Sequence, residues 1–184
     1  INMSEIGGAA GVDQKTVQSW TNILNRNLIL QLLPTYSSNL SSRIIKMPKL
    51  YFCDTGLCAR LQGHLDEDQL WLSPQVGPLF ETLVFSEIKK TIFNFLKPWE
   101  LYSWRTKDQK EIDFILQTEK EFIFLEAKFG IQNAAPFELD SEAKKVFRGK
   151  HRKIVVTAGG DITQLSKDTS AIPLFKITEF LLGL

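Results

Sequence analysis

The chain has 184 residues, 43% hydrophobic and 23% charged, a balance that suits one large or two small globular domains and excludes disorder as its main state. A formal net charge of +1 excludes a wholly basic nucleic-acid coat, but the charge is uneven. Residues 1–60 carry six basic and three acidic side chains, net +3, which leaves the remainder near −2. Cys53 and Cys58, with only His64 and His151 elsewhere, do not make a zinc or disulfide framework and are expected as buried free thiols of a cytoplasmic protein. No apolar run reaches transmembrane length and no signal peptide follows Ile1, so no membrane partner is expected. The missing initiator Met leads to the expectation of a longer parent chain. Without Gly-x-x-x-x-Gly-Lys-Ser/Thr, this segment is not expected to act as an ATPase by itself.

In chain order, Met3–Ala10, Gly11-Val12 and Asp13–Asn25 predict helix, turn and helix, with Asp13 as N-cap of the second. Val17, Trp20 and Leu24 form its expected apolar stripe, leaving Gln14, Lys15, Gln18, Ser19 and Asn22 on the outer side. Gln and Asn can pair with base edges while Lys and Ser hold phosphates, so this face is a candidate DNA contact. Leu28–Leu33, a polar loop with Arg43 and Lys46, and Lys49–Cys53 then predict a two-stranded wing. Helix, turn, helix and wing together resemble a winged-helix domain, for which packing or protein contact is the alternative use. Asp54–Leu61 predicts a short helix and His64–Leu72 a polar connection, its acidic triplet solvated. Ser73-Pro74 and Gly77-Pro78 punctuate the chain, so the domains are expected at residues 1–70 and 71–184.

Leu79–Phe93 predicts a strong helix in which Glu81 projects beside the apolar stripe of Val84, Phe85 and Ile88. Trp99–Trp104 predicts a strand, and a polar turn with Arg105, Lys107 and Lys110 follows. Glu111–Lys128 predicts a hairpin with Asp113 opposite Glu126, Phe114 opposite Leu125 and Leu116 opposite Ile123. Strict alternation puts Ile112, Phe114, Leu116, Ile123, Leu125 and Ala127 on one apolar face and Asp113, Glu126 and Lys128 on the other. Opposed carboxylates need a positive charge, supplied by Lys128 or by a divalent cation, and oxygen-only ligands favour Mg²⁺ or Mn²⁺. The alternative is a surface hairpin with a solvated Asp and a Glu/Lys pair. Glu138–Arg148 predicts a helix, Lys153–Thr157 a strand, Ile172–Ile177 a further strand or turn, and an apolar helix ends the chain. Lys144, Lys145, Arg148, Lys150, Arg152 and Lys153 form a basic run that suits either phosphate or solvent.

An acidic helix, Asp113 on the second strand and Glu126-Ala127-Lys128 on the third resemble the PD-(D/E)XK nuclease-like fold. Pro48-Lys49-Leu50-Tyr51-Phe52-Cys53-Asp54-Thr55-Gly56-Leu57, Gly77-Pro78-Leu79-Phe80-Glu81, Tyr102-Ser103-Trp104-Arg105-Thr106 and Glu111-Ile112-Asp113-Phe114-Ile115-Leu116 are similar to the C-terminal region of prokaryotic AAA+ family ATPases carrying a DUF4143 domain. The resemblance implies an α/β (α+β) architecture: a winged helix followed by a restriction-endonuclease-like αβββαβ domain with a mixed central sheet. It also implies a preceding P-loop module in the full-length chain. Ile112 stands where a strict nuclease motif has Pro.

Two functions follow as expectations. In the first, Asp113 and Glu126 hold Mg²⁺ or Mn²⁺ for DNA phosphodiester hydrolysis, Lys128 orients water or stabilises the phosphorane, and Glu81 helps to hold metal. Arg105 and Lys110 would then grip phosphates. In the second, the same charges form a structural ion pair in a non-catalytic DNA- or protein-binding module.

Overall fold

A computed structural model describes residues 2–37, 48–106, 110–139, 141–147 and 149–183. Arg43 and Lys46, expected at the wing tip, lie outside the described residues, as do Lys107 and Arg148. The chain opens with α1 (Met3–Ala10) and α2 (Gln14–Arg26). Asn2 caps α1, and Asp13 caps α2 by accepting from the Thr16 N–H at 2.8 Å. Gly11 ends α1 with φ 69°, a left-handed position that glycine fills without a Cβ clash. Antiparallel β1 (Leu30–Leu33) and β2 (Lys49–Phe52) follow, then α3 (Thr55–Leu61).

Two expectations about this segment are corrected. The inward stripe of α2 is Val17 and Thr21, with Leu24 half-buried, whereas Trp20 is 48% exposed. Trp20 has equivalent spacings to Val17 and Leu24, so periodicity does not exclude it; α1 covers the Thr21 side, where the Thr21 hydroxyl meets Met3 Sδ at 3.9 Å. The acidic run expected as a solvated connection forms α4 (Glu67–Leu72). Asp66 accepts from the Gln69 N–H at 2.8 Å, while Glu67 and Asp68 occupy the first turn, where the helix dipole favours negative charge.

The longest helix is α5 (Val76–Asn94), whose Val84, Phe85 and Ile88 are fully buried against a six-stranded sheet. The sheet comprises β3 (Glu100–Arg105), β4 (Glu111–Gln117), β5 (Phe122–Lys128), β6 (His151–Thr157), β7 (Thr163–Gln164) and β8 (Thr169–Pro173). Its spatial order is β3-β4-β5-β6-β8-β7, antiparallel through β5, parallel from β5 to β8, and antiparallel again at β7. The protein is therefore a mixed α/β fold with a mixed central sheet. Its central strands are buried on both faces, which explains continuous apolar runs such as Ile154–Val156.

One face packs on α5 and on α7 (Ile177–Leu182), around Phe114, Leu116, Ile123, Leu125, Ile154 and Ile172. The other packs on α6 (Ser141–Val146) and Phe147, around Trp104, Ile112, Ile115 and Phe124. The helix expected over 138–148 is thus shorter, and Glu138 lies ahead of it. Leu33 and Tyr51 join the α5-side core and Tyr36 joins the α6-side core, so the first segment is built into the sheet. Main-chain bonds fasten it to the β3 edge, with the Tyr36 N–H donating to Ser103 O at 2.8 Å and the Ser103 N–H to Pro34 O at 2.9 Å. Trp71, the expected start of the second domain, sits within α4 and stacks on Phe129.

The hairpin pairs Phe114 with Leu125 and Leu116 with Ile123, the expected register. Ile112, however, does not share the face of Phe114. Tyr102 pairs with Ile115 but Trp104 with Ile112, so Asp113 and Phe114 together oppose Ser103. This bulge turns Ile112 into the α6-side core and redirects Asp113. Among the described residues, no helix is long and apolar enough to cross a membrane. Both cysteines are free thiols, and burial pushes each pKa up.

Candidate active site

Three carboxylates from two elements meet at the bulge. Glu81 of α5 and Glu111 and Asp113 of β4 each present an oxygen within 4.8 Å of the others. Glu81 stands in the second turn of α5, clear of its N-terminus, with its body against the buried stripe. The bulge places Asp113 on the Glu81 side. Its Oδ2 accepts from the Ala127 N–H at 2.9 Å, which ties the carboxylate to β5, while Oδ1 faces Lys49.

Lys49 of β2 enters this group from the first segment. Its Nζ lies 2.9 Å from Glu81 Oε1 and 3.6 Å from Asp113 Oδ1, and it contacts Glu111 Oε1 directly. Tyr51, on the same face of β2, donates its hydroxyl to Glu81 Oε1 at 2.5 Å. Burial works to lower the pKa of Lys49, but Glu81, Glu111 and Asp113 together outweigh it and raise the value. Tyr51 is held as a neutral phenol by burial and by Glu81. Lys49, Tyr51 and Glu111 were not singled out as site residues from the sequence. The available signal was same-face spacing, Lys49-x-Tyr51 and Glu111-x-Asp113 on short strands.

Glu126 and Lys128 form a second pair, 3.2 Å apart, on the other side of Asp113. They line a cavity of about 380 Å³ with Lys110, Glu111, Ile112 and Phe137. Burial, then the neighbouring Asp113, pushes Glu126 up to about 7 against the opposing pull of Lys128. Burial, then Glu81, also raises Asp113, opposed by its bond to Ala127 and by Lys49 and Lys128. Four carboxylates therefore face two ammonium groups, and the two most buried acids remain short of positive charge. Arg105, 58% exposed, lies 3.8 Å from Glu111 at the rim, and Lys110 is exposed beside it.

The expected site residues come near one another but not onto one face. The bulge puts Asp113 with Glu81 on the α5 side, whereas Glu126 and Lys128, expected on the face of Asp113, line the cavity with Ile112 on the other side, and Arg105 and Lys110 lie at the margin. The helix face of Gln14, Lys15, Gln18, Ser19 and Asn22 is separate from this region in the sequence and wholly exposed. The late basic run is largely engaged internally. Lys153, only 2% exposed, pairs with Asp168 at 3.0 Å and Glu138 at 3.3 Å, and Arg152 pairs with the buried Glu121 at 2.9 Å.

The fold and site define a mixed α/β protein whose strand bulge gathers carboxylates around a lysine from a neighbouring two-stranded unit. Residues 76–177 match the domain of unknown function DUF4143, and the chain belongs to that family. Residues 1–68 match a second domain of unknown function, DUF8612. The chain is 30% identical over 114 residues to uncharacterized proteins of Mycobacterium bovis and Mycobacterium tuberculosis. The match covers 62% of this chain and 25% of each relative, so it spans about a quarter of their length. No solved structure matches the chain. Lys49 and Tyr51 come from the DUF8612 segment and the acidic residues from DUF4143, so the site is composite.

Proposed function

We propose that the chain is the DNA-associated C-terminal region of a prokaryotic AAA+ family ATPase, whose PD-(D/E)XK nuclease-like domain hydrolyses phosphodiesters with Mg²⁺ or Mn²⁺. The observation that carries this reading is the convergence of Glu81, Glu111 and Asp113 within 4.8 Å, with Glu126 and Lys128 adjoining. All donors are carboxylate oxygens, which fits a hard divalent cation and not zinc. Glu81, Glu111 and Asp113 would hold it, with Glu126 beside them. Bound there, the ion supplies neutralisation of the acids and Lewis-acid polarisation of a phosphate.

The chain's own groups do the remaining work. The Ala127 N–H fixes one oxygen of Asp113 and prevents the carboxylate from rotating freely. Lys128, 44% exposed beside Glu126, can donate to a phosphate oxygen and stabilise the negative charge that develops on it. Arg105 and Lys110 offer phosphate contacts at the margin. The α1–α2–β1–β2 segment serves as a winged helix whose exposed α2 face meets DNA.

The test is cleavage of supercoiled and linear DNA with Mn²⁺ or Mg²⁺ by the wild type and by an Asp113→Ala/Glu126→Ala protein. Metal-dependent product from the wild type that disappears in the double variant supports the reading, and unchanged cleavage by the variant contradicts it. One observation favours a non-catalytic second reading: Lys49 already bridges Glu81, Glu111 and Asp113, as a structural ion pair would. In that version the domain binds DNA or protein for its ATPase and takes up no metal.

A further inference from the structure

The carboxylate group contains a cation of the chain's own. Lys49 Nζ touches Glu81, Glu111 and Asp113, the same three residues whose oxygens could hold a metal ion. A divalent cation on those oxygens would stand within a few ångströms of the ammonium, and like charges at that distance in a partly buried site repel strongly. The same oxygens cannot serve both at full strength. Lys49 also has an exit. Its side chain is 24% exposed on a flexible four-carbon stem, and a cavity of about 440 Å³ lined by Lys49, Tyr51, Pro78 and Glu81 adjoins it.

We propose that Lys49 is a resident, displaceable cation of the acidic site. It holds Glu81, Glu111 and Asp113 together in the metal-free protein, and a divalent cation binds by expelling its ammonium into the adjoining cavity. The inference rests on the metal-dependent reading above and adds a competitor to it, carried on β2 from outside the DUF4143 segment.

The test is calorimetric titration of Mn²⁺ into wild type, Lys49→Met, Lys49→Gln and Lys49→Arg proteins at matched ionic strength. The neutral variants should bind about tenfold or more tightly than wild type, and the Arg variant no more tightly than wild type. Mn²⁺ should also raise the melting temperature of the neutral variants more than that of wild type. Binding by the Met or Gln variant alone supports displacement as well. Saturable binding by wild type with no gain in either neutral variant overturns the inference and leaves the metal reading standing. No binding by any protein overturns both. If the neutral variants fold only with Mn²⁺ present, the ion has replaced Lys49 as predicted; failure to fold with or without it makes Lys49 a structural residue and overturns the proposal.

Discussion

Tyr51 and Lys49, two residues apart on β2, donate to the same oxygen of Glu81, at 2.5 Å and 2.9 Å. Tyr51 is buried and also stacks on Phe85 with ring centroids 4.4 Å apart, so its hydroxyl is the polar end of a packed ring. Tyr51→Phe keeps the ring and removes one bond to a charged acceptor. It should cost about 1.5–3 kcal/mol in urea or guanidinium unfolding. An unchanged midpoint would show that Glu81 is held by Lys49 alone.

Lys153 is the most deeply buried cation among the described residues, yet its partners Glu138 and Asp168 are largely exposed. Lys153→Met fills the same space and releases two carboxylates that water can solvate, so it should change stability by less than about 1.5 kcal/mol. Lys153→Ala leaves a cavity and should cost about 2–4 kcal/mol. Chemical denaturation of both variants separates packing from charge.

The same pairs set an acid dependence. Hydrogen bonds from Lys153 hold both Glu138 and Asp168 below the usual carboxylate range. Their contribution is therefore complete above the unfolded value, about 4, and is lost as pH falls through the lower folded values. In Lys153→Met that part of the acid transition should vanish. Stability measured between about pH 5 and pH 2 for both proteins checks the sign.

Glu121 and Arg152 make an asymmetric pair. The Glu121 side chain is 2% exposed and that of Arg152 is 40% exposed. Arg152→Ala strands a buried carboxylate whose remaining ion-pair partner among the described residues is Lys150 at 3.7 Å, and should cost about 3 kcal/mol. Glu121→Gln leaves an arginine that can reach water and should cost about 1 kcal/mol. Equal losses would mean that the carboxylate's burial is not the controlling feature.

Charge reversal at Lys15 tests the α2 face. If that face meets phosphates, Lys15→Glu should weaken binding uniformly across DNA sequences and reduce the salt slope by about one or more. Gln18→Ala should change preference among sequences with little effect on the slope. Fluorescence anisotropy at several salt concentrations distinguishes these outcomes from no DNA contact.

Local signals made much of the fold legible. The Asp13 cap, the hairpin register at Phe114/Leu125 and the buried side of α5 all follow from periodicity and capping within short windows. What was not legible depends on distant contacts. Lys49 meets Glu81 across 32 residues of chain, a relation that no strand pattern encodes. The bulge at Asp113 arises from how β4 pairs with β3, so alternation along β4 alone gives Ile112 the wrong face. Val17, Trp20 and Leu24 make as regular a helical stripe as Val17, Thr21 and Leu24, and it is the contact of α1 through Met3 on Thr21, not the periodicity, that buries Thr21 and leaves Trp20 exposed. Asp66-Glu67-Asp68 carried a helix start that its charge density concealed.

Whether the acidic group binds a divalent cation is read from Mn²⁺ titration of the wild type beside Asp113→Asn. The Asn side chain keeps an acceptor for the Ala127 N–H, so the bulge should persist while the site loses a carboxylate. Binding by the wild type should be saturable and should weaken at least about tenfold in the variant. Equal affinity in both proteins, or no binding by either the wild type or Lys49→Met, would contradict divalent binding by the acidic group.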